Sequence, residues 1–182
     1  RSDGLSDPQL VTSLIDGTGA RELARTNGLS TYDWTPKGSV IFSQLEYVDR
    51  YRLFDDLYEV KVDGSIRRIT EGARLTDPSV SPDGSWAVAV SEGGGTNGLV
   101  SIDLVSGAVT DFVDADPNSH WAFPSISPNG RWIAATRWKP GALHDVVVLD
   151  RNGLVVTELT NDRAIDLAPE WSPDGNYLLW AS

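Results

Sequence analysis

The chain has 182 residues, of which 40% are hydrophobic and 23% are charged, proportions typical of a globular protein with an apolar core. Its formal net charge of −11 argues against nucleic acid and anionic lipid surfaces as partners, because both would be repelled. Cysteine is absent, which excludes disulfides, thiolate metal sites and cysteine nucleophiles. No apolar run is long enough to span a membrane. Methionine is also absent, which favours a processed or excised chain.

The first predicted elements are two strands joined by a hairpin, at residues 9–17 and 20–23. A tight turn of the form Ser/Thr-Pro-Xaa-Gly follows and recurs three more times, with Xaa as Lys, Asp, Asn and Asp in chain order. Proline presets the first turn dihedral, and glycine takes the position that needs positive φ. Each copy therefore joins two antiparallel strands. The four prolines are separated by 46, 46 and 45 residues: Pro36, Pro82, Pro128 and Pro173.

After each turn the sequence predicts a short apolar second strand, a variable loop, a third strand and an alternating fourth strand. The second strands are 39–42, 86–90, 132–136 and 177–180. The third strands are 57–62, 99–104 and 146–149, and the fourth strands are 65–70, 108–112 and 154–159. Alternation of apolar and polar residues is typical of a half-exposed outer strand. The N-terminal pair matches a third and a fourth strand, whereas the last copy ends after its second strand.

A period near 46 residues is typical of the four-stranded blade of a β-propeller. We therefore predict an all-β, single-domain propeller over residues 1–182. It comprises a half-blade at 9–25, whole blades at about 31–70, 77–113 and 123–160, and a half-blade at 168–182. Two arrangements remain open. Either the complementary half-blades pair and close a ring of four blades, or the chain is part of a larger propeller with open sheet edges.

The segment 169–182 contains Trp171-Ser172-Pro173-Asp174-Gly175 and resembles the Trp-Ser-Pro-Asp-Gly repeat of the TolB-like, or WD40-like, β-propellers. Residues 14–23 resemble the hairpin between the third and fourth strands of the same family. The sequence departs from the repeat at Lys37 and Asn129, where aspartate is usual, and at Val80 and Ile126, where tryptophan is usual. The resemblance implies a periplasmic or otherwise extracytoplasmic scaffold that binds another protein. Similar repeats also form accessory propellers of prolyl oligopeptidase-like and tricorn-like peptidases.

The chain carries no sequence signature of catalysis. No Gly-Xaa-Ser-Xaa-Gly nucleophile elbow is present, and the two histidines, His120 and His144, fall in predicted loops. Asp150 to Gly153 has the start of a calcium-binding loop, but Asn161 stands where the terminal glutamate belongs, so an Asx turn is predicted instead. The repeated aspartates of the Pro-Asp-Gly turns are expected to accept backbone N–H groups. We thus expect a protein that is not an enzyme and has no catalytic, cofactor or metal site.

Propeller geometry places the loops between second and third strands on one face, together with the connections between blades. These loops are long and differ between blades, as binding loops do. They comprise residues 44–54, 92–98 and 137–144 and the interblade segment 114–123. Tyrosine and arginine are frequent interface anchors. We predict a protein-docking surface formed by Tyr47, Arg50, Tyr51, Arg52, Trp121 and Trp138. The alternative is that these aromatic side chains pack onto the blades.

Together these features predict a non-catalytic, extracytoplasmic protein-binding propeller, in a role such as a peripheral subunit of an envelope or membrane-bound assembly. The alternative is the accessory propeller of a prolyl oligopeptidase-like or tricorn-like peptidase whose catalytic domain lies outside the chain. A small-molecule or sugar ligand in the central channel is the least favoured alternative.

Overall fold

The computed structural model describes residues 8–28, 30–114, 116–141 and 143–182 as sixteen antiparallel strands in five sheets. Three sheets have four strands each, ordered in the sheet as in the chain, and this confirms the predicted all-β fold of four-stranded antiparallel blades. Blade 1 contains β3 (Tyr32–Trp34), β4 (Val40–Tyr47), β5 (Leu53–Val60) and β6 (Ile66–Arg68). Blade 2 contains β7 (Leu75–Val80), β8 (Trp86–Gly93), β9 (Thr96–Asp103) and β10 (Val109–Val113). Blade 3 contains β11 (His120–Ile126), β12 (Trp132–Trp138), β13 (His144–Asp150) and β14 (Val155–Glu158).

The remaining two sheets have two strands each. The N-terminal half-blade consists of β1 (Gln9–Thr12) and β2 (Arg21–Arg25), and the C-terminal half-blade of β15 (Leu167–Trp171) and β16 (Leu178–Ala181). Within the described part of the chain, the two half-blades lie in separate sheets and do not pair with each other. In a whole blade the second strand pairs with the third. In the half-blades, β16 lacks a third strand and β1 lacks a second strand as partner among these residues.

The Ser-Pro-Asp-Gly turns are held as the sequence predicts. In blade 2 the Ser85 N–H donates to Asp83 Oδ1 at 3.0 Å, and the Ser81 hydroxyl donates to the same oxygen at 2.7 Å. The Trp86 N–H in turn donates to Ser81 Oγ at 3.2 Å. The hydrogen bonds to Asp83 lower its pKa to about 2, and the bond from the Ser85 backbone has the largest effect. The aspartate thus stabilises the turn, which agrees with a structural role.

Three apolar clusters hold neighbouring blades face to face. The first joins the N-terminal half-blade to blade 1, the second joins blade 1 to blade 2, and the third joins blade 2 to blade 3. Representative fully buried side chains are Phe42, Leu57, Leu75, Leu99, Ile133 and Leu149. The second and third strands supply most of these residues because they lie in the middle of each sheet, where both faces are covered.

The innermost strands of blades 2 and 3 and of the C-terminal half-blade share an irregularity. Their pairing register shifts next to a non-glycine residue with positive φ, namely Asp77 (48°), Phe123 (50°) and Ala168 (52°). A left-handed backbone costs roughly 1–2 kcal/mol at such residues, so the surrounding contacts must hold it. One such contact is at Asp77, whose N–H donates to Thr31 Oγ1 of blade 1 at 2.7 Å. The irregularity therefore accompanies a hydrogen bond between blades.

Several expectations about the loops were wrong. The segments 44–54 and 92–98 are mostly paired strands, because β4 and β5, and β8 and β9, continue well beyond the core. In the segment 137–144 only residues 137, 138 and 144 are paired. In blade 1 the connection is only residues 48–52. His120 and His144 are the first residues of β11 and β13 and both pair with Trp138, so they do not lie in loops. Backbone hydrogen bonds hold these strand ends together, so their side chains do not need to be apolar. Their sequence therefore resembles that of loops.

Gly153 and Gly107 lie where the outer turn of one blade meets the preceding blade. A Cβ atom on Gly153 would lie 2.0 Å from the carbonyl oxygen of Phe112, and one on Gly107 would lie 2.2 Å from that of Ile69. Both residues also have positive φ. Only glycine fits these positions without moving one blade away from the next.

We expect Gly153→Ala to lower the free energy of unfolding clearly more than Gly64→Ala. Gly64 has a similar φ of 85°, but a Cβ atom there would meet nothing within 4 Å. The control therefore carries only the cost of the left-handed backbone, and the difference measures the clash, about 1–3 kcal/mol. Urea unfolding of the two variants checks this. Equal losses would show that the blades do not approach as closely as described.

Candidate functional site

The hairpin of β4 and β5 ends in a turn, residues 48–52, that is held by Asp49. Its Oδ1 accepts the N–H groups of Tyr51 and Arg52 at 2.9 and 3.0 Å, and its Oδ2 accepts Arg52 Nε at 2.6 Å. The Val48 N–H closes the turn by donating to the Arg52 carbonyl at 2.9 Å. The hydrogen bonds to Asp49 lower the pKa of its carboxyl group, and the bond from the Tyr51 N–H has the largest effect. The turn is therefore ordered before any partner is bound.

This hairpin presents aromatic and apolar side chains to solvent. The exposed fractions are 85% for Tyr51 and 70% for Tyr47, and Val48 and Leu53 are also exposed. Arg50 and Arg52 are exposed beside them. Large apolar groups gathered on one exposed turn are typical of an interaction site, whereas single exposed residues are common on any surface.

A second layer supports the hairpin where it leaves the blade. The Arg74 guanidinium lies 3.7 Å from the centre of the Phe54 ring, and that of Arg52 lies 5.8 Å from the same centre. Cation–π contacts of this kind contribute about 0.5–1 kcal/mol at exposed sites. Phe54 thus links the tip of the hairpin to the connection that leads into blade 2. The sequence analysis did not identify Phe54 and Arg74 as site residues, because Arg74 is 20 residues away in the chain.

Asp56 anchors the same connection from inside blade 1. Its fully buried carboxylate accepts Arg68 Nη2 at 2.7 Å, Thr70 Oγ1 at 3.0 Å, and the N–H groups of Gly72 and Ala73 at 2.8 and 2.9 Å. A buried carboxylate with four donors is fully satisfied. This arrangement fixes residues 70–73 directly below the hairpin.

Blade 3 repeats the position of Asp56 but not its contacts. Asp145 also precedes a residue whose N–H donates to a threonine of the outer connection, Thr160, as Leu57 donates to Thr70 in blade 1. Asp145 is 1% exposed, yet neither of its carboxylate oxygens has a hydrogen-bond partner among the described residues. Its neighbour across the strand, Arg137, donates to Glu158 Oε1 at 2.5 Å. The outer connection of blade 3 is therefore not held in the same way.

The structure brings four of the six predicted docking residues together: Tyr47, Arg50, Tyr51 and Arg52 all lie on the β4–β5 hairpin. Trp121 is only 3% exposed and packs in the cluster between blades 2 and 3, so its ring is not presented on the surface. Trp138 lies in blade 3, half-buried, with its ring edge-on to His120 at a centroid distance of 5.1 Å. The Trp121 ring thus packs onto the blades, whereas Trp138 is only half-buried and its part in docking stays a prediction.

Carboxylates gather on the inner side of the hairpin. Burial raises the pKa of Asp55, and the nearby charges of Glu92 and Asp56 raise it further. Burial likewise raises the pKa of Asp77, with a further contribution from Glu92. Like charges held close together in a partly desolvated place destabilise one another. The charge of Glu92 therefore acts on both Asp55 and Asp77.

Among the described residues, no group of three or more His, Cys, Asp or Glu side chains is placed to hold a metal ion. The described part of the chain also contains no helix long and apolar enough to cross a membrane. The two histidines are separated by Trp138, which pairs with both of them.

The stacked antiparallel blades and their repeated turns define a β-propeller fold and resemble those of the TolB-like propellers. A TolB homologue of Chlorobium chlorochromatii is 29% identical over 153 residues, and one of Chlorobium luteolum is 30% identical over 154 residues. Each match covers 81% of this chain and 33% of the relative, so the chain spans about a third of the length of the curated relatives it matches. No family model matches the chain.

Solved structures agree on the fold. The crystal structure of TolB from Acinetobacter baumannii superposes with a TM-score of 0.77 at 23% identity, over 97% of this chain and 43% of that one. The tricorn protease superposes with a TM-score of 0.64 at 18% identity, over 90% of this chain and 16% of that one. These matches support the resemblance to the TolB-like β-propellers that the Trp-Ser-Pro-Asp-Gly repeat predicted.

The isosteric substitutions Asp56→Asn and Asp145→Asn should change the free energy of unfolding by different amounts. Asp56→Asn places an amide against N–H donors and leaves Arg68 without its partner, so we expect a loss of about 2–4 kcal/mol in the free energy of unfolding. Asp145→Asn removes a buried charge that has no hydrogen bond, so we expect a change below about 1 kcal/mol, or a gain.

Chemical denaturation followed by tryptophan fluorescence measures both variants. A similar large loss in the two variants would contradict the contrast drawn between their surroundings.

Proposed function

We propose that this chain is a non-catalytic propeller segment that binds another protein through the tip of the β4–β5 hairpin. The exposed side chains of Tyr47 and Tyr51 on a turn fixed by Asp49 carry this proposal. A turn that is ordered in advance loses little conformational entropy on binding, and tyrosine has few rotatable bonds to immobilise. Together these properties favour a protein-binding role for this surface.

The chemistry of the hairpin indicates what kind of surface it would meet. Tyr47, Tyr51 and Val48 offer apolar area, and Arg50 and Arg52 flank them with positive charge. A partner with an apolar depression rimmed by carboxylates fits this pattern, because arginine pairs with carboxylates in a planar, bidentate manner. Trp138 stays a candidate contact at the edge of blade 3, whereas Trp121 would act only by packing beneath the surface.

The proposed setting is extracytoplasmic, at the cell envelope, with a peripheral role in an envelope or membrane-associated assembly. The support is the likeness to the two TolB homologues, which extends over 81% of the chain. We expect no cofactor, and we expect the partner to be a protein in preference to nucleic acid, because the net charge of −11 repels polyanions.

The alternative is the accessory propeller of a peptidase whose catalytic domain lies outside these residues. Its support is the likeness to the tricorn protease and to puromycin hydrolase, both at 18% identity. The TolB homologues are closer in sequence, at 29 and 30%. A Gly-Xaa-Ser-Xaa-Gly elbow encoded in the same reading frame, together with peptide hydrolysis by the full-length product, would favour the alternative.

Site-specific photo-crosslinking tests the docking surface directly, because it captures whichever protein lies against the hairpin. We expect a photoreactive phenylalanine analogue at Tyr51 to give a discrete protein adduct in cells that express the protein. The same analogue at Val62 should give none, because Val62 is exposed in the β5–β6 turn at the opposite end of blade 1. We further expect Tyr51→Ala combined with Arg52→Ala to abolish partner capture, and Lys61→Ala combined with Val62→Ala to leave it intact.

Adducts of equal yield at Tyr51 and Val62, or undiminished capture by the Tyr51/Arg52 double variant, would rule out the hairpin as the docking site. Circular dichroism of both double variants verifies that any loss of capture does not come from unfolding.

A further inference from the structure

The outer grooves between the whole blades can be compared position by position, because these blades share one pairing register. In blade 1 a row of side chains on the face toward blade 2 crosses the sheet through Ile41, Glu59 and Arg67. Counting from the first paired position of the second strand gives the equivalent row in blade 2, on the face toward blade 3: Val88, Ser101 and Thr110. Each row borders a groove between its blade and the next.

In the groove between blades 1 and 2, Arg67 bridges the two blades. Its Nη2 atom donates to Glu59 Oε2 at 2.9 Å and to the carbonyl oxygen of Leu104, in the outer turn of blade 2, at 2.8 Å. Glu59 also accepts the Ser39 hydroxyl at 2.6 Å. The groove has a volume of about 330 Å³, and the charged side chains that line it are mostly basic: Lys37, Lys61, Arg67 and Glu59. An arginine of the chain itself therefore fills part of this groove.

The groove between blades 2 and 3 has no such bridge at the equivalent positions. Thr110 stands in the place of Arg67 and Ser101 in the place of Glu59. The volume of this groove is larger, about 510 Å³. The charged side chains that line it are mostly acidic: Asp103, Asp111 and Arg151. The balance of charge is thus the reverse of that between blades 1 and 2, and the space that a guanidinium fills there is open.

Arg151 does not neutralise the two aspartates of this groove. Its guanidinium lies 4.5 Å from the centre of the Trp86 ring. None of the ion pairs in the described part of the chain involves Asp103, Asp111 or Arg151. Asp103 holds its own turn through Oδ1 alone, which accepts the N–H groups of Val105 and Ser106. Carboxylate oxygens are therefore available to a cation that enters the groove.

We propose that the groove between blades 2 and 3 binds an arginine side chain of a partner protein, at the place that Arg67 occupies between blades 1 and 2. The guanidinium pairs with Asp103 and Asp111, because its planar fork of donors matches carboxylates. Its methylene stem lies against Phe112, which lines the same groove. The net charge of −11 draws a basic segment of the partner toward this surface.

The groove lies apart from the tip of the β4–β5 hairpin. It is formed by the start of β8, the end of β9, the strand β10 and the outer turn of blade 3, whereas the hairpin tip, residues 48–52, belongs to blade 1. Both walls of the groove belong to complete four-stranded sheets. Arginine binding here therefore does not require the hairpin, and each of the two surfaces can be tested without the other.

NMR titration with short peptides tests the groove. The probe is acetyl-Gly-Arg-Gly-amide, and its control is the same peptide with citrulline, which has a similar shape but no charge. We expect the arginine peptide to shift the Trp86 indole N–H signal and the amide signals of Thr110 and Asn152 until they saturate. The citrulline peptide should bind at least about ten-fold more weakly, because it offers no charge-assisted hydrogen bond. Asp111→Asn should weaken binding of the arginine peptide at least about five-fold.

Thr110→Arg should close the groove from within, because the introduced guanidinium takes the position that Arg67 has between blades 1 and 2. We expect this variant to keep the amide spectrum of the folded protein and to lose binding of the arginine peptide. Val109→Arg is the matched control, since it adds the same charge to β10 on the opposite face of the sheet. It should weaken binding less than about two-fold, because an exposed charge at that distance is largely screened.

Three results would overturn the proposal. The first is a titration in which the signals of Trp86, Thr110 and Asn152 do not shift or do not saturate. The second is equal binding of the arginine and citrulline peptides. The third is undiminished binding by either Thr110→Arg or the isosteric variant Asp111→Asn, which keeps the shape of the groove.

Discussion

The arrangement of the blades depends on hydrogen bonds between the innermost strands of neighbouring blades. A first strand pairs with a second strand on one side only, so its other edge would leave backbone N–H groups without partners. At the innermost positions the preceding blade supplies the acceptor: the Val80 N–H donates to Asp33 Oδ2 at 2.7 Å, and the Ile126 N–H donates to Ser79 Oγ at 3.0 Å. Between blade 3 and the C-terminal half-blade the direction is reversed and two side chains are joined: Ser125 Oγ of blade 3 donates to Glu170 Oε2 at 3.2 Å. Burial raises the pKa of Asp33, against the effect of the bond from Val80.

This inner attachment explains why the exposed ends of the second and third strands can differ so widely between blades. The blades are fixed at the axis and through their apolar faces, so the hairpin ends contribute little to the arrangement. Blade 1 uses that freedom for a hairpin with exposed tyrosines above a fully satisfied Asp56. Blade 3 has a histidine and tryptophan cluster at the equivalent edge and a buried aspartate without hydrogen-bond partners among the described residues. Variation on a fixed scaffold is how propellers acquire different binding surfaces.

The repeat was readable from the sequence because its signal is local. Each turn is determined within six residues by its proline and glycine, and in two of the turns also by the hydroxyl of Ser81 or Ser127. The structure reproduces all four turns. The ends of the second and third strands were not readable, because backbone pairing extends β4 to Tyr47 and starts β5 at Leu53 regardless of side-chain pattern. For the predicted docking residues, the sequence did not show which side chains are exposed to solvent. Trp121 and Tyr51 each follow a polar residue in the sequence, but Trp121 packs against the neighbouring blade whereas Tyr51 lies exposed in a hairpin turn. The contact of Phe54 with Arg74 and the four hydrogen bonds accepted by Asp56 depend on groups that only the folded chain brings together.

Residue-resolved amide hydrogen exchange at Ile126 tests the inner attachment most directly. If Ser79 of blade 2 holds this N–H group, its exchange in the unmodified protein should be as slow as that of the β12 core amides, such as Ala134. Ser79→Ala should accelerate exchange at Ile126 by at least ten-fold and leave Ala134 unchanged. Exchange at Ile126 in the unmodified protein at the rate of an exposed loop, or no response to Ser79→Ala, would contradict the account.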